Sequence, residues 1–115
     1  MKLNALLLPV ANLDSTLHLL QDILGLALKF RDADRYAAFE SSPLSLTLAS
    51  DAERIIDKPA LIIQVERDIE VVVDRLIADD ILVVHPIEKG PHEWRAVLEP
   101  LNSAFQLVIT QKLAN

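Results

Sequence analysis

The chain carries one pattern twice. Ala5-Leu6-Leu7-Leu8-Pro9-Val10 near the start is answered fifty-five positions later by the apolar alternation of Ala60-Leu61-Ile62-Ile63-Gln64-Val65. A helical spacing of apolar residues follows each copy, and Gly25-Leu26 corresponds at the same offset to Asp80-Ile81, where a further strand is expected. A spacing that survives strand, helix and turn marks two copies of one supersecondary unit. Neither copy is long enough to bury an independent core, so a functional site is expected where the two face each other.

The first copy reads as a strand over Leu3 to Val10, with Leu6, Leu8 and Val10 on one face and Leu3, Ala5 and Leu7 on the other. Asn12 is placed to cap a helix with Asp14 in its first turn, and Leu13, Leu17, Leu20 and Leu24 recur at helical spacing until Gly25 ends it. Strands follow at Leu26 to Arg31, Tyr36 to Glu40 and Leu44 to Ala49, separated by polar turns. The second copy repeats the order. A strand over Ala60 to Val65 leads into a helix from about Asp68, with Ile69, Val72, Val73 and Leu76 on its buried stripe. Asp79-Asp80 stands at the helix stop, and strands at Ile81 to Pro86, Glu93 to Leu98 and Ala104 to Thr110 complete the set. The reading is therefore a single α+β domain over residues 1–115: module one over 1–50, a polar linker over 51–58 and module two over 59–115.

Charge and cysteine content narrow the function. Eleven Lys and Arg against seventeen Asp and Glu give a formal charge of −6, which argues against a nucleic-acid or anionic-membrane surface and leans toward a neutral or cationic small molecule. No cysteine is present, so disulfides, thiolate catalysis and Cys-ligated metal are excluded, and a cytoplasmic location is expected. The run Ala5 to Ala11 after Met1-Lys2 imitates a short secretory signal, but its recurrence at Ala60 favours a strand. No apolar stretch approaches the roughly 20 residues of a membrane-spanning helix.

The order of elements, with Val10-Ala11-Asn12-Leu13-Asp14-Ser15-Thr16-Leu17 running into Ile23-Leu24-Gly25-Leu26, resembles the glyoxalase/bleomycin-resistance/extradiol-dioxygenase superfamily, the vicinal oxygen chelate proteins. Arg35-Tyr36-Ala37-Ala38-Phe39-Glu40 and the turn Glu99-Pro100-Leu101-Asn102-Ser103 add to the likeness, which covers nearly the whole chain. The resemblance implies two tandem βαβββ modules forming a curved, partly closed eight-stranded mixed sheet, with the helices outside and a cup inside. It also implies a homodimer.

Enzymes of that superfamily hold a divalent metal in the cup through His on the first strand and Glu on the fourth strand of the modules. By resemblance, the corresponding positions here are Ala5, Ala60, Ser45 and Gln106. Alanine offers no donor atom, and a neutral hydroxyl or amide competes poorly with water for such an ion. No metal ligand, cofactor or catalytic residue is therefore assigned. Strand alternation places Leu7, Ile62, Gln64, Thr47 and Val108 on the same concave side as those four positions.

The remaining candidates are few. His85, His92 and Glu93 could in principle assemble a metal cluster, although side chains near turns are usually just solvated. Trp94 aligns with Tyr36 of the first module, and its default is core packing, with stacking on a flat ligand as the alternative. Arg95 alternates with Trp94 and points to the opposite face. Facing the cup, it would be a buried cation seeking a carboxylate, either Glu99 or a ligand acid; facing outward, it would be solvated. Glu40 and Glu99 are the acids nearest the expected cup.

The expectation is a small-molecule-binding protein that lacks the usual metal ligands. Leu7, Ile62 and Val108 would bury the guest, and Ser45, Thr47, Gln64 and Gln106 would orient it, with Trp94 and Arg95 at the rim. The alternatives are a metal-dependent, lactoylglutathione-lyase-like or dioxygenase-like enzyme with atypical ligands, and a structural dimerisation or docking module.

Overall fold

In the computed structural model, which describes residues 1–51 and 55–114, eight strands form one mixed sheet in the order β2-β3-β4-β1-β5-β8-β7-β6. The strands are β1 (Lys2–Pro9), β2 (Leu28–Asp32), β3 (Tyr36–Phe39), β4 (Ser45–Ala49), β5 (Ala60–Val65), β6 (Leu82–Lys89), β7 (Glu93–Glu99) and β8 (Gln106–Lys112). Helix α1 (Leu13–Leu17) follows β1, and α2 (Ile69–Ala78) follows β5, so each half is βαβββ as the repeat predicts. The first strands β1 and β5 pair antiparallel at the centre, and each runs parallel to the last strand of its own module. The sheet is not closed: β2 and β6 are its edges.

Along the central strands residues alternate between the two faces. Leu8, Leu46, Leu48, Ala37 and Phe39 pack under α1 with Leu13 and Leu17, while Ile63, Val65, Ala96, Leu98 and Ile109 pack under α2 with Ile69 and Val73. A third cluster, Leu7, Ala49, Ile56, Ala60, Val97 and Val108, lies on the opposite face between the modules. Both faces of the central strands are thus covered, which is why their sequences read as near-continuous apolar runs.

The helix ends show local chemistry at work. Asn12 Oδ1 accepts from the Ser15 backbone N–H at 3.0 Å, and the Asn12 carbonyl accepts from the Ser15 and Thr16 hydroxyls. Beyond Leu17 the helix widens into a π-type turn over His18–Ile23, in which Leu24 N donates to Leu19 O at 3.0 Å. The wider turn carries Leu24 out of the stripe, so Leu24 is exposed rather than buried as the helical spacing predicts. Gly25 then ends the segment at φ +78°, where a side chain would be strained. Asp80 takes the equivalent left-handed position, φ +64°, after α2.

Two boundaries differ from expectation. β6 continues past Pro86 to Lys89, with register shifts on either side of His85. An edge strand can include a proline because its outward side needs no N–H donor. The linker is less polar than its composition suggests, since Ile56 is buried in the central cluster and Ile55 packs against it; residues 52–54 lie outside the described residues. Among the described residues no helix is long and apolar enough to cross a membrane.

Candidate functional site

Between the modules, on the face away from the helices, the sheet encloses a cavity of about 440 Å³. Its floor is Leu7 of β1, Ile62 of β5 and Val108 of β8, all inward by strand alternation. One wall belongs to module one, with Phe30, Asp32, Arg35, Tyr36 and Ala49; the other belongs to module two, with Pro91, His92, Glu93, Arg95 and Thr110. Ile55 of the connector completes the lining.

The two walls differ in character. On the first, the rings of Phe30 and Tyr36 meet in a tilted pair with centroids 6.3 Å apart, and Arg35 Nη2 donates to both oxygens of Asp32 at 2.9 and 3.0 Å. On the second, Arg95 extends from β7 opposite the buried Thr110. The Nε atom of Arg95 is buried and has no hydrogen-bond partner among the described residues. Glu88 Oε1 stands 3.7 Å away, at ion-pair range but beyond a hydrogen bond. Burial pushes the Glu93 carboxyl above the usual carboxylate range, against the opposing pull of Arg95 and His92. Burial likewise raises the Tyr36 phenol, a hydrogen bond with Thr47 pulls it back, and the charge of Glu93 adds to the rise.

The four strand positions that hold a metal in the resembled superfamily lie side by side, Ala5 opposite Ser45 and Ala60 opposite Gln106. They do not fit a divalent ion. Ala5 and Ala60 carry no donor, and Gln106 is consumed internally: its Nε2 donates to Asp57 Oδ1 at 2.7 Å and Glu99 Oε1 at 2.9 Å, while its Oε1 accepts from Asp57 N at 3.1 Å. Lys58 Nζ closes the network, 3.0 Å from Glu99 Oε2. Together, the Gln106 and Lys58 hydrogen bonds hold the Glu99 carboxyl below its ordinary range. No group of three or more His, Asp or Glu among the described residues could hold a metal, so His85, His92 and Glu93 form no such cluster.

Of the sequence candidates, the fold brings Leu7, Ile62, Val108 and Arg95 into the cavity. Ser45, Thr47, Gln64 and Gln106 share the concave face without lining it. Thr47 Oγ1 donates to the Leu6 carbonyl at 3.1 Å, and Gln64 lines a separate hollow with Met1, Lys2 and Lys112. Trp94 takes its default of core packing and not the place at the rim: alternation along β7 turns it to the α2 side, where it packs with that helix's cluster and lies 6.0 Å from Lys89 Nζ. Glu99 pairs with Lys58 rather than Arg95. Among the lining residues that sequence reasoning missed are Phe30, Asp32, Arg35, Ala49, Ile55 and Thr110. Phe30 stands one turn from Tyr36 across the β2–β3 hairpin, a signal the sequence does contain, whereas nothing local marks Ile55.

The fold is that of the glyoxalase/bleomycin-resistance/dioxygenase superfamily. A member from Vibrio splendidus 12B01 superposes with a TM-score of 0.71 at 16% identity, covering 94% of this chain and 97% of that one. Methylmalonyl-CoA epimerase from Mycobacterium tuberculosis matches with a TM-score of 0.66 at 17% identity, over 97% and 88%. A structure described as NAD-dependent benzaldehyde dehydrogenase from Legionella pneumophila matches at 0.75 and 16% identity, over 95% and 98%. No family model and no curated protein matches the sequence.

Proposed function

We propose that this chain is a small-molecule-binding protein whose guest occupies the cup between the modules, without a divalent metal at the four strand positions. The observation that carries this reading is the pairing of a preserved cavity with lost ligands. The space between the modules has a volume typical of small-molecule sites and an apolar floor, while Ala5 and Ala60 offer no metal donor and Gln106 is hydrogen-bonded through both ends of its amide. Burial against Leu7, Ile62 and Val108 supplies the driving force, and the polar groups of the walls fix orientation.

Ligand-observed NMR with a fragment mixture, run beside elemental analysis of the purified protein, tests the reading. Fragments should bind, and Ile62→Trp, which fills the floor, should abolish their signals while circular dichroism stays native. Stoichiometric zinc, nickel, iron or manganese whose removal abolishes turnover would overturn it.

A further inference from the structure

We infer that the cup selects an organic acid, with the ligand's carboxylate seated on the Arg95 guanidinium and its apolar body lying across the floor against Tyr36. The inference rests on the cup being the ligand site and adds the chemical class of the guest.

Among the described residues, Arg95 is the cavity side chain with a buried polar atom left unpaired. Its Nε is buried without a hydrogen-bond acceptor among the described residues, and the acid nearest to it, Glu88, is 3.7 Å away and 60% exposed. A desolvated guanidinium hydrogen without an acceptor is costly, and the Arg95 side chain, 29% exposed, lines the cavity, so a carboxylate can meet the guanidinium from that side.

The net charge of −6 does not decide the guest, because the field inside the cup is local. Asp32 is already matched by Arg35. Glu93 is half-buried beside Arg95 and is the internal competitor for that cation. A guanidinium with only a distant, exposed acid and a half-buried one beside it suits a singly charged, planar carboxylate. The planar fork of a guanidinium matches the two oxygens of a carboxylate in a bidentate pair.

Cinnamate, the isosteric neutral cinnamamide and cinnamylammonium serve as probes, titrated at up to about millimolar concentration by ligand-observed NMR and calorimetry. Cinnamate should bind roughly tenfold or more tighter than cinnamamide, and cinnamylammonium more weakly than either. Glu93→Gln should tighten cinnamate severalfold while leaving cinnamamide unchanged, and Arg95→Gln should erase the preference. The first comparison uses the unaltered protein, so it stands even if Arg95→Gln does not fold. Equal binding of acid and amide, or preference for the ammonium, overturns the inference and leaves the cup as a ligand site. Binding of none of the three overturns both.

Discussion

Arg95 occupies in the second module the place that Tyr36 holds in the first. Ser45 and Gln106 are equivalent, each opposite the alanine of its module's first strand, and four residues further along stand Ala49 and Thr110. Tyr36 lies opposite Ala49 and Arg95 opposite Thr110, so the repeat sets an aromatic ring and a guanidinium on the two walls of one cavity. Divergence at this pair sets a phenol ring on one side of the cleft and a guanidinium on the other.

Gln106 holds the connector to the second module, and its replacement should act on stability. Gln106→Ala strips the Asp57 amide of its acceptor and leaves Glu99 with Lys58 alone, so polar groups are poorly paired around a site that is 1% exposed. A loss of about 1–3 kcal/mol is expected from urea denaturation, with the slope unchanged. A stability within error of the parent would show that water replaces the amide freely.

The Glu99 carboxyl titrates below its ordinary range because Gln106 and Lys58 favour its ionised form. A depressed carboxyl contributes stability that is present above the unfolded-state value and is lost as pH falls through the folded one. The acid limb of the Tm–pH profile should therefore flatten in Glu99→Gln and, to a lesser degree, in Lys58→Met. Parallel acid limbs for parent and variants would refute this.

Glu93 has the opposite sign. Desolvation outweighs the attraction of Arg95 and His92, so the ionised form costs the fold stability at neutral pH, and that cost disappears as the group takes up a proton. Glu93→Gln should raise Tm near neutral pH, and the gain should vanish in acid. A lower Tm at neutral pH would mean that the pull of Arg95 outweighs desolvation.

At the start of α1, Asn12→Ala removes the acceptor of the Ser15 N–H. The expected cost is about 1 kcal/mol, or roughly 4–8 °C in Tm for a domain of this size. Asn12→Asp should retain most of the stability, and an unchanged Tm in the alanine variant would indicate that solvent caps the helix equally well.

How far such features are legible in the sequence depends on how far they reach along the chain. β5 at Ala60–Val65, the Asn12 cap and the left-handed Asp80 follow from patterns within a few residues, and the repeat from comparing two such local patterns. What escaped is tertiary. The first N–H of α2 is met not by Asp68 but by Gln111 Oε1 of β8 at 2.8 Å, forty-two positions away. Ile56 sits in a polar stretch and is buried only because the modules close around it. The facing of Trp94 and Arg95 turns on a one-residue shift in the internal alignment, and in a strand such a shift exchanges the two faces.

At the far border of the sheet, β6 presents Leu82, Val83 and Val84 to solvent and would otherwise be an inviting template for another chain. Pro86 in its middle and the irregular register around His85 break the row of donors such recruitment requires. The same kinks that lengthen this strand thus act as a guard against fibrous stacking, and a straightened β6 with Pro86 replaced would be the variant most prone to aggregate.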